Sequence, residues 1–473
     1  MKRVLQLLVV AAFAALLAPA LAGAAPRMHV GFHDDPNFRW EERRTTMLDQ
    51  AKAANTTIVR TLVTWAQVAP TRPANASNPF DPAYKLNDLD ELVRNTQERD
   101  MEVLITIWGT PKWANGGKTP NYLPTRVSDL TAFSRAIASR YSGRYPGFPF
   151  VRYFQIWNES NLQLFLAPQF DGKGRSVAPR NYAKLAAASY AGIKAGNRFA
   201  KVAIGSTSSA GRDKPLAGKS ETHSPARFAR LVAAANPRLK FDAWAQHPYP
   251  VPARLKPTQK VRYPNVTLTS FPRFTKDLDT WFKRKNVRIW ITEYGHEVKQ
   301  DGEPQGVSRA QQAAYVAQAL ALAKANPRTD MFIWFVFRDH STSEWQSGLR
   351  TRTGAAKPSL ARFSAAARSV DARNAIVTAR GGVANPTVTV ALRAYAAGTK
   401  PGERVGFNVR VREKGKLVAY AQPTAAFGRD ATARVRLLGF RPVKGKTYVV
   451  EIEANVFSGG GVMLKRTLTL NAT

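Results

Sequence analysis

The feature that most constrains the fold of this chain is an eightfold alternation of short apolar runs with longer segments of helical periodicity. The apolar runs are rich in β-branched and aromatic residues, and they begin near His29, Ile58, Glu102, Val151, Val202, Phe241, Val287 and Met331. In the segments between them, apolar residues recur every three or four positions, which is typical of amphipathic helices. Eight strands, each followed by a helix, is the number that closes a parallel (β/α)8 barrel.

The predicted helices cover residues 41–54, 86–99, 129–141, 182–195, 225–235, 274–285, 308–326 and 359–367. A doubly wound open sheet is the competing α/β arrangement, but no glycine-rich phosphate-binding turn follows the first strand. The sequence therefore predicts an α/β fold, a TIM barrel, over residues 26–368.

Beyond a segment rich in Gly, Ala and turn formers, the apolar period changes from helical to two. Val405, Phe407, Val409 and Val411 alternate with polar neighbours, and so do the residues from Tyr448 onward. This pattern predicts a small all-β sandwich of the immunoglobulin-like type over residues 387–473, joined to the barrel by a linker over 369–386. Since no row of exposed Trp or Tyr marks a sugar platform there, a packing or spacer role is favoured over carbohydrate binding.

The N-terminal residues have the layout of a secretory signal peptide. Lys2 and Arg3 precede an apolar run that closes in the small residues Ala20, Ala22 and Ala24. We predict a signal peptide over residues 1–25, with an uncleaved membrane anchor as the alternative because the run is nearly long enough to span a bilayer. No later run is long and apolar enough, so the expected location is secreted and extracellular, with no transmembrane segment after cleavage.

The chain is strongly basic and contains no cysteine. Its formal net charge is +37, which favours anionic partners such as acidic polysaccharide, phosphate-bearing wall polymer, a membrane surface or nucleic acid. However, the basic residues are scattered over the whole length, and no nucleic-acid-binding module is recognisable. Solvated surface charge is the alternative interpretation. Without disulfides, stability must come from the packing of a large domain.

Two glutamates follow predicted strands at their C-terminal ends. Glu159, in the run WNESN, follows the fourth strand, and Glu293, in the run WITEYG, follows the seventh. Barrel enzymes carry their chemistry at this end of the strands, and glycoside hydrolysis requires two carboxyl groups, about 5 Å apart in retaining enzymes. Strand alternation predicts that both glutamates point inward with the residues two and four positions before them, namely Trp157 and Gln155, and Ile291 and Ile289.

These two motifs make the chain resemble glycoside hydrolase clan A, most closely its families 5 and 39. The Asn158-Glu159 dipeptide matches the end of strand four in that clan, and the segment from Thr292 to Gly295 matches the end of strand seven. The resemblance extends over the whole barrel. It implies that Glu159 is the general acid/base and Glu293 the nucleophile of a glycosidase that needs no metal or organic cofactor.

The resemblance also implies roles for residues around the two glutamates. An arginine on strand two, here Arg60, hydrogen-bonds the nucleophile, and Asn158 binds the hydroxyl on the second carbon of the sugar. His247 and Tyr249 close strand six, and Tyr249 is expected to hydrogen-bond Glu293. Trp334, in the eighth strand, matches the aromatic platform on which the sugar stacks.

Four further tryptophans lie near predicted strand ends or in the loops that follow them: Trp65, Trp108, Trp113 and Trp345. Each could bind a sugar face or belong to the core, because Trp serves in both roles. A long segment over residues 210–224, after the fifth strand, is expected either to shape a subsite or to decorate the rim.

The sequence thus predicts a secreted retaining O-glycosyl hydrolase that cleaves a β-glycosidic bond in a polysaccharide or oligosaccharide by double displacement. The expected partner is a carbohydrate substrate, with an anionic glycan or cell-wall polymer as one candidate, and no nucleic acid is expected. Two alternatives stay open. The first is a non-catalytic glycan-binding surface protein, and the second is a transglycosylase that uses the same two glutamates.

Overall fold

The computed structural model describes residues 28–99, 101–145, 147–216, 218–340, 345–370, 387–390, 404–426, 433–437, 439–456 and 464–472. The predicted signal peptide and most of the predicted linker lie outside the described residues. Within those described ranges, no helix has the length and apolar character needed to cross a membrane.

Eight parallel strands form a closed barrel in sequence order, which confirms the predicted fold. They are β1 (His29–His33), β2 (Ile58–Thr64), β3 (Glu102–Trp108), β4 (Tyr153–Ile156), β5 (Lys201–Thr207), β6 (Ala243–Gln246), β7 (Arg288–Ile291) and β8 (Thr329–Phe335). The barrel closes where β1 pairs with β8 from His29 opposite Met331 to His33 opposite Phe335. Because the strands are parallel and consecutive, all eight carboxyl ends meet at one mouth.

Eight crossover helices lie between or after these strands, close to their predicted positions. They are α1 (Arg44–Ala53), α2 (Asn87–Glu98), α3 (Val127–Arg140), α4 (Ala178–Gly196), α5 (Pro225–Ala235), α6 (Phe271–Trp281), α7 (Arg309–Ala325) and α8 (Pro358–Ser369). Short helices also occur at Pro36–Trp40, Trp65–Val68, Lys112–Asn115, Leu268–Ser270 and Lys299–Asp301. Helix α7 begins with a capping box. Ser308 Oγ accepts from Gln311 N at 3.1 Å, and Gln311 Oε1 accepts from Ser308 N at 2.8 Å.

Alternation along the strands divides the barrel domain into two apolar layers. On β3, Val103, Ile105 and Ile107 pack outward against the helices, whereas Leu104 belongs to the interior of the barrel. The interior is filled by Ile58, Leu104, Ala203, Ala243, Ala245, Trp290, Met331 and Ile333. Because these side chains fill the barrel interior, a ligand can enter only at the mouth, where the carboxyl ends of the strands lie.

The C-terminal region is all-β, as predicted. Its strands are β9 (Thr387–Val390), β10 (Arg404–Glu413), β11 (Lys416–Ala421), β12 (Thr424–Ala426), β13 (Ala433–Arg436), β14 (Thr447–Val456) and β15 (Leu464–Asn471). Five of them form an antiparallel sheet in the order β11-β10-β14-β15 with β12 beside β10, and β13 pairs with β9. The period-two apolar residues of β10 and β14 are buried, including Val409, Val411, Val450 and Ile452.

Candidate active site

Glu293 lies just after β7, and groups from within β2 and from the end of β6 hold both of its carboxylate oxygens. Arg60 Nη1 donates to Glu293 Oε1 at 2.5 Å. On the other side, the Tyr249 hydroxyl donates to Oε2 at 3.3 Å, and His247 Nδ1 lies 3.4 Å from the same oxygen. Arg60 is completely buried, so water screens this ion pair little. The carboxylate is therefore fixed in one orientation at the mouth.

Arg60 organises the floor of the site through its remaining donors. Its Nη2 donates to Asn158 Oδ1 at 2.8 Å, and its Nε donates to Thr106 Oγ1 at 3.0 Å. Its Nη1 also lies 2.8 Å from His33 Nδ1. A guanidinium can only donate, so His33 Nδ1 must accept and the ring proton belongs on Nε2. That nitrogen faces Asp35 Oδ2 at 3.4 Å, which orients the imidazole.

The surroundings of Glu293 favour its ionised form. Burial alone would raise the pKa of this carboxyl, but the charges of His247 and Arg60 outweigh burial and lower the pKa from 4.5 to about 2. Glu293 is therefore a carboxylate at any ordinary pH. A carboxylate that acts as a nucleophile must be ionised.

Glu159 reaches the same space from β4 because the chain leaves extended geometry after that strand. Trp157 and Glu159 have φ angles of +69° and +32°, in a region that non-glycine residues rarely adopt and that is common at functional sites. Glu159 Oε1 lies 3.0 Å from His247 Nδ1. Below it, His247 Nε2 lies 3.1 Å from Thr292 Oγ1. The imidazole thus stands between the two glutamates with its orientation fixed.

The two carboxylates are close enough to act on one bond. One oxygen of Glu159, one oxygen of Glu293 and a ring nitrogen of His247 all lie within 4.8 Å of one another. This bound agrees with the separation of about 5 Å in a retaining glycosidase, whereas the carboxyl groups of an inverting enzyme lie about 6.5–9.5 Å apart. The same three groups could also ligate a cation, but Arg60 already supplies positive charge to Glu293.

Alternation is wrong for β7 and right only in part for β4, where Phe154 and Ile156 pack in the outer core and Gln155 faces inward as predicted. Ile289 and Ile291 pack in the outer core, and Trp290 faces the barrel interior. Trp157 also lies in the outer core. The glutamates reach the mouth because the chain turns after Ile156 and Ile291, where the strands end, and a turn resets the direction of each following side chain.

The predicted aromatic platform is also wrong, because Trp334 is fully buried on the outer face of β8. Its Nε1 donates to Ser347 O at 2.9 Å, and its ring packs 5.9 Å from that of Tyr294. Trp65 is likewise buried and stacks on Phe133 at 5.2 Å. Neither indole can contact a sugar, and both belong to the core between strands and helices.

Phe335, which the sequence reasoning missed, takes the position at the mouth. Its partly exposed ring lies 5.2 Å from the ring of His33 and 6.3 Å from that of Trp345. Trp345 in turn lies 5.4 Å from Tyr249, which contacts Glu293, so its ring forms an aromatic wall of the site. The sequence alternation places Trp334 and Phe335 on opposite faces of β8, and the structure decides which face is inner, because Ile333, two positions before Phe335, faces the barrel interior.

Two other predicted tryptophans are partly exposed and have their indole donors engaged. Trp108 Nε1 donates to Phe165 O at 3.3 Å, and Trp113 Nε1 donates to Ala69 O at 2.8 Å. The Arg72 guanidinium lies over the Trp113 ring at 4.4 Å. Each indole can offer a ring surface to a ligand but not a hydrogen bond.

Known glycoside hydrolases are similar to this chain in sequence and in fold. The family model of cellulase (glycosyl hydrolase family 5) matches residues 28–341, while the sequence matches no curated protein. A family 39 glycoside hydrolase from the gut symbiont Bacteroides cellulosilyticus WH2 has a TM-score of 0.52 at 17% identity, covering 88% of this chain and 80% of that one. A glucosidase from Croceicoccus marinus has a TM-score of 0.54 at 13% identity, covering 88% and 96%.

A family 5 subfamily 18 glycoside hydrolase from Streptomyces cattleya, in complex with Manβ1-4GlcNAc, has a TM-score of 0.52 at 16% identity, covering 76% of this chain and 85% of that one. At these identities the likeness to solved structures shows the shared fold. The family model adds the sequence match across the barrel.

Proposed function

The chain belongs to glycosyl hydrolase family 5 and is a glycosidase, and from that premise we propose that it is a retaining O-glycosyl hydrolase that cleaves β-glycosidic bonds by double displacement. The observation that carries this mechanism is the cluster of Glu159, His247 and Glu293, whose ligand atoms lie within 4.8 Å of one another. A pair this close favours direct attack by one carboxylate over attack by a water molecule held behind the sugar.

In the first step, Glu293 attacks the anomeric carbon and forms a glycosyl ester, while Glu159 gives its proton to the departing oxygen. The bond between that oxygen and the anomeric carbon breaks, and the leaving sugar departs as an alcohol. Arg60 and Tyr249 hold the two oxygens of Glu293, so the nucleophile is positioned before the substrate arrives.

In the second step, Glu159 takes a proton from water, and the oxygen of that water attacks the anomeric carbon. The ester bond to Glu293 breaks, and two inversions give net retention. Asn158 immediately precedes Glu159 in the chain, and its Oδ1 accepts from Arg60 at 2.8 Å. Because the carbonyl oxygen faces the guanidinium, the amide nitrogen is directed away from it, where it can donate to the hydroxyl on the second sugar carbon.

The proposed substrate is a β-linked polysaccharide or oligosaccharide. Paired carboxylates in working geometry favour hydrolysis over glycan binding alone. Transglycosylation would use the same intermediate, with a sugar hydroxyl in place of water, so product analysis at high acceptor concentration distinguishes it from hydrolysis.

The test of the mechanism is azide rescue of the Glu293→Ala variant. We expect hydrolysis of an aryl β-glycoside to fall to background and to recover with azide, giving the α-glycosyl azide, because azide fills the space of the missing carboxylate. The matched control is Glu303→Gln, which removes a carboxyl from the loop after β7 and should keep wild-type activity. Full activity in Glu293→Ala without azide would refute the assignment.

We also propose that the protein is exported. The basic, apolar and small-residue order of residues 1–25 supports this. Mass spectrometry of protein collected from the medium after expression with the native N-terminus should find a chain that begins between residues 23 and 26, counted on the printed sequence. Cell-retained protein that keeps Lys2 would contradict the proposal.

A further inference from the structure

We propose that the leaving-group side of the cleft binds an anionic sugar segment, so that the substrate is a polysaccharide bearing carboxylate, sulfate or phosphate groups. This inference rests on the proposed mechanism, because the mechanism defines which side receives the leaving group. Glu159 protonates the departing oxygen, and it follows β4. The departing sugar must therefore lie over the loops that surround the end of β4.

The loops around the mouth differ sharply in charge from one side to the other. In the loops that follow β3, β4, β5 and β6, the sequence has twelve Lys or Arg residues against four Asp or Glu, one of which is Glu159. In the loops that follow β7, β8, β1 and β2, it has nine against eleven. The positive charge at the mouth is thus concentrated on the side of the acid/base residue, although the basic residues are scattered along the sequence.

A recess opens on the basic side, close to Glu159 along the chain. It has a volume of about 420 Å³ and is lined by Asn121, Gln163, Leu164, Gly218, Lys219 and Ser220. These residues come from the loops after β3, β4 and β5. The volume falls within the usual range of small-ligand sites, and Gln163 lies only four positions after Glu159.

Hydrogen bonds between the loops hold the walls of this recess in place. Gln163 N donates to Glu221 O at 3.0 Å, and Glu221 N donates back to Gln163 Oε1 at 2.7 Å. Asn121 Nδ2 donates to Gln163 O at 2.8 Å. The segment after β5 and the loop that carries Glu159 therefore form this recess together, and under the proposal it is a subsite.

The cations beside the recess are available to a ligand. Lys219 forms part of its wall, and the Lys118 ammonium lies 5.1 Å from the ring of Tyr122, the residue that follows the lining residue Asn121. Both lysines are exposed, and neither makes an ion pair with any residue that the structure describes. On the opposite side, Lys357 is buried between Asp301 and Asp339, at 2.8 and 2.6 Å, so its charge is already neutralised.

A glycan fits these observations better than a nucleic acid. The unpaired cations border the mouth of a catalytic barrel and its recess, where a sugar chain must pass to reach Glu159. Exposed Leu164 and the Tyr122 ring add apolar surface for sugar faces. A nucleic-acid surface would have no reason to be confined to the leaving-group side.

The experiment measures acceptor preference, because an acceptor that captures the glycosyl-enzyme occupies the leaving-group side alone. Purified protein is incubated with an aryl β-glycoside that it hydrolyses, chosen by screening, and with one acceptor at a time. The acceptors are cellobiose and its counterparts carrying one carboxylate, one sulfate or one phosphate. Transfer product is quantified for the wild-type protein, for Lys118→Glu with Lys219→Glu, and for the control Lys276→Glu, an exposed lysine on α6.

We expect half-saturation at lower concentration for an anionic acceptor than for cellobiose, by about 1.5- to 5-fold for each cation engaged. The double variant should lose this preference, and Lys276→Glu should keep it. The preference should also shrink as salt is raised from about 0.02 to 0.5 M, because exposed charges are screened. The carboxylate, sulfate and phosphate arms identify which anion is accepted.

The inference is overturned if cellobiose and all three anionic acceptors are used equally, or if the double variant keeps the preference. A third contrary result is that single-stranded DNA inhibits donor hydrolysis while no anionic sugar is preferred, which would assign the basic surface to nucleic acid. Failure of the underlying mechanism looks different, because then no aryl glycoside forms a transferable glycosyl intermediate.

Discussion

Arg60 connects more of the active site than any other single residue described above. Its guanidinium joins Glu293, Asn158 and the imidazole of His33. A buried guanidinium without partners would be costly, so each contact also stabilises the arginine itself. This interdependence explains why the Glu293 carboxylate, the Asn158 amide and His33 keep one arrangement.

Replacing Arg60 with Met should move the acidic limb of the kcat/KM profile toward higher pH. Burial raises the pKa of Glu293, and Arg60 is one of the charges that oppose burial. Without Arg60 we expect the limb to rise by about 1 to 3 pH units. The control is Arg140→Met, which breaks another buried pair, with Asp90 at 2.6 Å. It should lower stability but leave the limb in place, and an unmoved limb in Arg60→Met would contradict the prediction.

The stability of the fold should also depend on pH through Glu293. The pKa of this group is lowered from 4.5 to about 2 in the folded protein, so its ionisation stabilises the fold fully above pH 4.5 and ceases to do so as pH falls through 2. Glu293→Gln lacks this titrating group. As pH falls from about 5 to about 2.5, the unfolding free energy of the wild type should therefore decrease by on the order of a few kcal/mol more than that of the variant. Urea unfolding at both values measures it, and a constant difference would refute it.

At the scale of elements, strand β8 shows how alternation decides function. Ile333 faces the barrel interior and Trp334 faces the helices, so Phe335 and not Trp334 reaches the mouth. The family resemblance assigned the aromatic platform to Trp334 because of its residue type. The strand geometry selects the position, because neighbouring side chains point to opposite faces.

The two aromatic residues of β8 should therefore respond differently to substitution. We expect Phe335→Ala to raise KM for an oligosaccharide about 2- to 10-fold, since ring contacts are worth about 0.5–1.5 kcal/mol, with little loss of stability. Trp334→Ala should instead lower the unfolding free energy by about 3–5 kcal/mol, and the milder Trp334→Phe should keep the wild-type KM. Steady-state kinetics with thermal unfolding distinguishes them, and a higher KM in Trp334→Phe would restore that residue to the cleft.

At the scale of the whole molecule, the barrel is complete without the C-terminal strands. Pairing of β1 with β8 closes the sheet, and Met28 N donates to Val370 O at 3.0 Å just beyond the end of α8. Every residue placed in the active site belongs to the barrel. The domain boundaries themselves remain a prediction.

Truncation after Val370 tests that prediction. We expect the shortened chain to fold and to hydrolyse a small aryl β-glycoside with a kcat/KM close to that of the full chain, because the barrel buries its own apolar layers. Circular dichroism and aryl-glycoside kinetics provide the two measurements. A folded but inactive truncation would show that the C-terminal region contributes to the site.

The sequence alone determined the number and order of the elements and the places where chemistry begins. Hydrophobic period is a local property, so eight strands, eight helices and two strand-end glutamates could be predicted before any contact was known. The tertiary structure decided what local period does not encode. The directions of Glu159 and Glu293 depend on turns after the strands end, and the roles of Trp334 and Phe335 depend on which face of β8 meets the helices. The charge asymmetry around the mouth appeared only when folding brought distant loops together on one side.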